Sequence, residues 1–484
     1  MGVVLLEQYV GGEWRPGGGG QLVSRNPARP DQVVAEGTAA SAGDVDLAVR
    51  AAARARDHWS SLPAHGRAAV LKRAAAVLSS NAAEWGRELA REEGKTLPEG
   101  VGEVRRAAQI FDFYGGDADR EAGSLFSSPR PGERILVTHR PLGTVGIITP
   151  FNFPIAIPAW KIAPALAYGN AIVWKPAGTV PLLALRLTQA LEQAGLPSGV
   201  LNLVFGEREV GSALVDHPGI DGVSFTGSTP VGRALAAAGA ARGIPVQAEL
   251  GGKNAAVVLS DADLDLAAGQ VLAGAFNSSG QKCTATSRLI VQNEIADEFA
   301  SLIAERADAL VVGDPTEEGV QLGPVITAGA RDAIDAGVAR AEGEGARRLT
   351  SRPLELEGDL ARGHFVRPVV FDSSEASDFL WKQELFGPVL AVRRAASVEE
   401  AFALADASEF GLSAAVFTQD LGTALDAIDR IDVGILHVNS ETAGADPHVP
   451  FGGGKGSGLG PKEQGLAARE FYTRTTTVYL RGGA

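Results

Sequence analysis

Between Val145 and residue 241 the chain alternates short apolar runs with helical stretches, and this alternation limits the fold more than any other feature. Val145-Gly146-Ile147-Ile148, Ala171-Ile172-Val173-Trp174, Val200-Leu201-Asn202-Leu203-Val204 and Gly222-Val223-Ser224-Phe225 read as strands. Helices are expected over 154–168, 180–194, 208–216 and 230–241. Short strands separated by helices build βαβ units and a parallel sheet. Such sheets bind ligands at the carboxyl ends of their strands.

Ahead of this region, 44–61, 64–93 and 98–118 carry Ala-rich helical spacing. The Ser/Pro/Gly texture over 120–140, ending in Ile135-Leu136-Val137-Thr138-His139, predicts a hairpin that projects from the body. A second αβ region runs from 250 to 440, with strands at Ala255-Ala256-Val257-Val258-Leu259 and Ser287-Arg288-Leu289-Ile290-Val291. The tail segment Thr475-Thr476-Thr477-Val478-Tyr479-Leu480 is β-branched and needs a partner sheet, which another subunit could supply. Left alone it would be a pairing hazard.

A formal net charge of −14 argues against nucleic acid and anionic membrane surfaces as partners. The most apolar stretch, Val145 to Trp174, contains Lys161 and prolines that include Pro154, Pro158 and Pro164, so it reads as buried structure and not as a membrane span. Met1 to Glu7 has no basic segment, so no signal peptide is expected. One cysteine in 484 residues excludes an internal disulfide framework and fits a reducing, cytoplasmic setting. Cys, His, Asp and Glu do not cluster at metal-ligand spacing, and no metal site is expected.

That cysteine, Cys283, lies in Asn277-Ser278-Ser279-Gly280-Gln281-Lys282-Cys283-Thr284. A free Cys usually packs as a small hydrophobe, but this flank does not build a dry core, which favours an approachable thiol. Glu249-Leu250-Gly251-Gly252 sets a carboxyl beside an apolar residue, where a raised pKa suits a general base. Asn152, in Phe151-Asn152-Phe153-Pro154, offers an amide N–H suited to an oxyanion. Phe225-Thr226-Gly227-Ser228 falls between a strand and a helix, where Gly227 permits close backbone approach and Ser228 meets the free N–H groups of a helix start. Lys175, at a strand's carboxyl end, can reach ribose or phosphate. Each feature alone has a plain structural alternative: a turn, a solvated strand end, a paired acid. Together they fit a thiol nucleophile with a base and an oxyanion donor.

In order, Phe-Asn-Phe-Pro (151–154), Trp-Lys-Pro (174–176), Phe-Thr-Gly-Ser (225–228), Glu-Leu-Gly-Gly-Lys (249–253), Gly-Gln-Lys-Cys (280–283), Glu-Leu-Phe-Gly-Pro (384–388) and Pro-Phe-Gly-Gly (450–453) resemble the aldehyde dehydrogenase superfamily over nearly the whole chain. The resemblance implies an α/β protein with three parts. These are a Rossmann-type dinucleotide-binding domain over 1–119 and 140–249, an αβ catalytic domain over 250–440, and a small β oligomerisation element over 120–139 and 460–484. A homodimer or homotetramer is expected.

The resemblance also assigns roles. Cys283 would be the nucleophile, Glu249 the base that activates water, and Asn152 with the Cys283 N–H the oxyanion site. Lys175 and Glu384 would hold the two riboses, Ser228 and Gly227 the pyrophosphate, with Phe386 and Phe151 near the nicotinamide. The implied reaction is NAD(P)-dependent oxidation of an aldehyde through a thioester, then hydrolysis to the acid. NAD-preferring members usually carry Glu three residues after the motif Lys. Gly178 stands there in this chain, and losing that carboxylate leans towards NADP.

The segments around Cys283 and Thr442 to Gly453 look most like 2,5-dioxovalerate (α-ketoglutaric semialdehyde) dehydrogenases. An anionic substrate wants an arginine, and Arg105 and Arg106 are candidates, with Phe153, Trp160 and Phe451 as further substrate contacts. Succinic semialdehyde enzymes place Arg at the positions of Trp160 and Asn277, and neither is Arg in this chain. A broad-range aldehyde dehydrogenase is the alternative enzyme. A catalytically silent relative is the alternative of another class, disfavoured by the joint presence of Cys283, Glu249 and Asn152.

Overall fold

The computed structural model describes residues 2–117, 123–374, 376 and 378–482. The expected alternation is present. Thr144–Ile148, Ala171–Lys175, Leu201–Leu203, Gly222–Thr226 and Val246–Glu249 form the parallel centre of an eight-stranded sheet. All five strands are buried or nearly so, which explains their continuous apolar runs. The chain enters this sheet in the middle, at Thr144–Ile148, and builds outward through Ala171–Lys175 and Leu201–Leu203. It then crosses back to lay Gly222–Thr226 and Val246–Glu249 on the other side. The strand order therefore reverses between Thr144–Ile148 and Gly222–Thr226, the kind of switch point where open α/β sheets bind ligands.

Leu250 to Lys253 carry the chain from the carboxyl edge of this sheet directly into Asn254–Val258, in a second, seven-stranded sheet. There Asn254–Val258 lies between Thr286–Gln292 and Ser413–Phe417, all parallel. This short bridge sets the carboxyl ends of the first sheet against the amino ends of the second.

The helices show where local signals succeeded and failed. Ala42–Ser61 starts with a reciprocal cap, in which Ser41 and Asp44 each bond the other's backbone. The stretch read as one helix over 64–93 is two, Ala64–Ser80 and Ala82–Glu93. Asn81, at φ −99° and ψ 5°, breaks it, and its side-chain amide donates to the Val77 carbonyl at 2.7 Å in competition with the helix backbone. Gly94 ends the second of these at φ +100°, so that Lys95 turns inward.

Gly123–Ser127 and Glu133–Pro141 form the expected hairpin; residues 118–122, where that reading began, lie outside the described residues. The tail strand Thr473–Arg481 pairs along its whole length with Glu133–Pro141 of its own chain, from Thr473 opposite Pro141 to Arg481 opposite Glu133. Its partner sheet is thus internal and needs no second subunit. The β-branched pattern specified a strand but not its neighbour. Among the described residues no helix is long and apolar enough to cross a membrane.

Candidate active site

Helix Leu264–Phe276 runs into a tight turn, Asn277–Gly280, and Cys283 follows it. Ser278 and Ser279 hold left-handed backbone, φ 56° and 54°, which costs energy for residues with a Cβ. Tertiary bonds hold them there. Glu99 Oε1 accepts from the Ser278 N–H at 2.7 Å, and Ser279 Oγ donates to the Gly323 carbonyl at 2.8 Å. Asn254 Nδ2 donates to the carbonyls of Cys283 and Ala285, 2.8 and 2.9 Å, and so ties the loop to the second sheet. Cys283 is half-buried. Burial, then the charges of Glu249 and Glu384, push its thiol up to about 12.

Cys283 borders a cavity of about 310 Å³. Phe153, Trp160 and Phe451 form its apolar wall, and the Trp160 and Phe451 rings lie 5.2 Å apart. Arg106 borders the same cavity, with Nη1 on Asp446 Oδ1 at 3.0 Å. Arg105 does not; it is exposed, because consecutive residues of helix Leu97–Asp117 point about 100° apart. The expected pair of arginines narrows to Arg106.

Asn152 is buried and does not itself border the cavity, and its Nδ2 donates to the Gln281 carbonyl at 2.9 Å. An amide nitrogen has two hydrogens, so one remains for another acceptor. Three charged residues that the sequence reading passed over fix this corner. Lys95 Nζ meets Glu103 Oε2 at 2.7 Å, bonds the Asn152 carbonyl, and lies 3.5 Å from the centre of the Phe153 ring. Glu103 Oε1 accepts from the N–H groups of Ile155 and Ala156, at the start of helix Ala156–Ala167. Glu99 accepts from both the N–H and the hydroxyl of Thr96. The Thr-x-x-Glu spacing of Thr96 and Glu99 is a helix-start signature that could have exposed one of them. Lys95 and Glu103 carry no such mark.

Glu249 ends its strand and is buried. Its Oε2 accepts from the Gly453 N–H at 3.0 Å, and a side chain on Gly452 would overlap its Oε1. Burial, reinforced by Glu463, raises its pKa well above the ordinary value, against the opposing pull of the Gly453 N–H, Lys161 and Lys462. It rests against the 452–453 turn and does not border the cavity with Cys283.

Glu384 Oε1 accepts from the Gly252 N–H at 3.1 Å, and burial lifts its pKa to about 7. Glu384 and Phe386 border a small recess that shares Lys282 with the Cys283 cavity. Phe386 takes φ 53°, and its ring meets that of Phe151 edge-on at 5.8 Å. This contact links the switch-point loop of the first sheet to the Glu384 turn.

Lys175 ends its strand, and Gly178, Gly227 and Ser228 follow the carboxyl ends of the first sheet's strands. Lys175 Nζ donates to the carbonyls of Gly206 and Pro176 at 2.8 and 3.1 Å. Ser228 precedes helix Thr229–Arg242 without using its hydroxyl as a cap. Thr226 Oγ1, just before it, is buried with no partner. An unspent hydroxyl, an orphaned one and a free helix start at a switch point fit a dinucleotide pyrophosphate. Gly178 is less open than its lack of a side chain suggests, because a Cβ there would overlap Glu207 Oε1.

Comparison with known proteins identifies the family. Residues 14–478 match the model of the aldehyde dehydrogenase family. An α-ketoglutaric semialdehyde dehydrogenase of Bacillus subtilis is 40% identical, with 99% of each chain covered. A 2,5-dioxopentanoate dehydrogenase of Saccharolobus solfataricus is 38% identical over 98% of each. Betaine aldehyde dehydrogenase from Staphylococcus aureus, solved with NAD+, superposes with a TM-score of 0.94 at 31% identity, covering 98% of this chain and 94% of that one. With the family model matched over 14–478 and relatives 38–40% identical along nearly its whole length, this chain belongs to the aldehyde dehydrogenase family.

Proposed function

We propose that the chain oxidises 2,5-dioxovalerate, or a related semialdehyde bearing a carboxylate, to the corresponding acid, with NAD(P)+ as acceptor. One observation carries the substrate class: the Cys283 cavity is apolar along Phe153, Trp160 and Phe451 and has Arg106 on its border. The Arg106–Asp446 pair is largely exposed, and such pairs are worth only ~0–1 kcal/mol, so a substrate carboxylate can replace Asp446. The semialdehyde dehydrogenases among the relatives support the same class.

Cys283 Sγ attacks the aldehyde carbon, and the substrate oxygen becomes an oxyanion. The free Asn152 N–H and the Cys283 backbone N–H receive it; one such donor is worth about 3 kcal/mol. Bound NAD(P)+ supplies the two-electron acceptor, with Lys175, Ser228, Glu384 and Phe386 as the residues that would hold it. The thiol, raised to about 12 in the protein alone, needs help to ionise at neutral pH. Glu249, as a carboxylate released from its bond to Gly453, takes the thiol proton and passes it to solvent; it then takes a proton from the water that opens the Cys283 thioester, and Cys283 leaves as the thiolate. Burial and Glu463 hold the Glu249 pKa above the ordinary carboxylate value, which makes it a stronger base than a solvated carboxylate.

The division into a dinucleotide-binding part, a catalytic part and an oligomerisation element is part of this reading. Among the described residues Gly123–Ser127 and Thr473–Arg481 are the edge strands of their sheet, and with Leu125, Phe126, Tyr479 and Leu480 exposed they support self-association. The test is a kcat/KM panel over 2,5-dioxovalerate, succinic semialdehyde, aliphatic aldehydes and benzaldehydes with both cofactors. A carboxylate-bearing semialdehyde should lead it; an uncharged aldehyde in first place would overturn the substrate assignment.

A further inference from the structure

Gly178 and Glu207 fill one space from two strands. Gly178 follows strand Ala171–Lys175, and Glu207 follows strand Leu201–Leu203, which pairs with it in parallel. Both residues thus lie at the carboxyl edge of neighbouring strands, where dinucleotides bind. A Cβ on Gly178 would overlap Glu207 Oε1 and lie 3.0 Å from Glu207 Cδ. The absent side chain at 178 makes room for a carboxylate delivered from elsewhere in the chain.

The surroundings of Glu207 suit a ligand. Glu207 is exposed and precedes helix Arg208–Asp216 without capping it. Lys175, the lysine expected to meet ribose, is buried beside it, and the charge of Glu207 opposes the fall in Lys175 pKa that burial causes. The Lys175 ammonium is anchored on Gly206, the residue before Glu207, at 2.8 Å. The cation and the carboxylate therefore lie near one another at the strand ends.

We infer that Glu207 is the residue that discriminates between the two cofactors: its carboxylate accepts from the adenosine ribose 2′-hydroxyl of NAD and repels the 2′-phosphate of NADP. An acid at the end of a neighbouring strand selects NAD in nucleotide-binding sheets generally, whereas a nearby arginine accommodates the phosphate. Arg208 is the neighbouring cation, exposed on the first turn of the helix, so the two adjacent residues pull in opposite directions. The carboxylate prevails because it is the group seated over Gly178. This reverses the cofactor preference that Gly178 suggests when its neighbours are unknown.

The inference rests on the reading of the site as NAD(P)-dependent. Binding of NAD+ and NADP+ to the full chain, measured by quenching of tryptophan fluorescence at low ionic strength without aldehyde, tests the two separately. The wild type should bind NAD+ more tightly. Glu207→Gln, an exposed substitution that leaves the fold intact, should shift the ratio of affinities about tenfold or more towards NADP+. Gly178→Ala, which displaces the Glu207 carboxylate, should shift it the same way. If both dinucleotides bind and neither variant changes the ratio, the role of Glu207 is overturned while the function stands. If neither dinucleotide binds, the function and the inference fall together.

Discussion

Asn152 donates a side-chain N–H to the carbonyl of Gln281, 2.9 Å away, and so fastens the loop of the first sheet to the loop that carries Cys283. The bond orients the amide, and in the proposed reaction its second hydrogen meets the substrate oxygen. Asn152→Ala should lower kcat by about 100- to 1,000-fold with a much smaller effect on KM, the usual result of removing one oxyanion donor. A variant whose KM rose while kcat held would show that Asn152 serves ground-state binding only.

Lys95 and Glu103 hold that corner from beneath, in a buried pair at 2.7 Å. Removing one partner of such a pair strands the other and costs ~3–5 kcal/mol. Lys95→Met should therefore lower the denaturation midpoint clearly, and at temperatures where it stays folded it should lower kcat, since Asn152 loses its anchor. An unchanged midpoint would contradict the burial and pairing described.

The path from sequence to this site was uneven, for physical reasons. Val145, Ala171 and Gly222 announced their strands because central parallel strands are apolar on both faces. The proposed site residues that sit in ordered motifs, such as Cys283 and Glu249, could be named from the resemblance those motifs carry. Lys95 and Glu103 could not, since a charged residue on a helical stretch reads as solvated until its distant partner is known. Glu207 was hidden likewise: its relation to Gly178 exists only across two paired strands. Arg105 and Arg106 looked equivalent, and only the helix's rotation separates them.

Arg106 should matter for charged substrates alone. Arg106→Ala is expected to reduce kcat/KM for a carboxylate-bearing semialdehyde by about 10- to 100-fold, the worth of one charge-assisted hydrogen bond, and to leave an uncharged aliphatic aldehyde nearly unaffected. Equal losses on both would point to a packing role.

Glu92 predicts a pH signature away from the site. It is fully buried, with both carboxyl oxygens near the Leu182 N–H at 3.1 Å, and burial raises its pKa from 4.5 to about 8. A folded pKa above the unfolded one means that the folded state holds the proton more tightly. Its contribution is therefore full below pH 4.5 and is lost as pH rises through 8. Compared with Glu92→Gln, the wild type should lose stability in urea denaturation as pH goes from about 5 to about 8. Parallel pH dependences would refute the shift.

The central claim is that Cys283 carries the acyl group and Glu249 releases it. Its most direct test is peptide mass spectrometry of the Glu249→Gln variant, quenched after mixing with NAD(P)+ and aldehyde. The account predicts an acyl adduct on the Cys283 peptide, accumulating towards one per chain because hydrolysis is slowed. No adduct on Cys283 in a variant that still forms reduced cofactor, or an adduct on another residue, would contradict it.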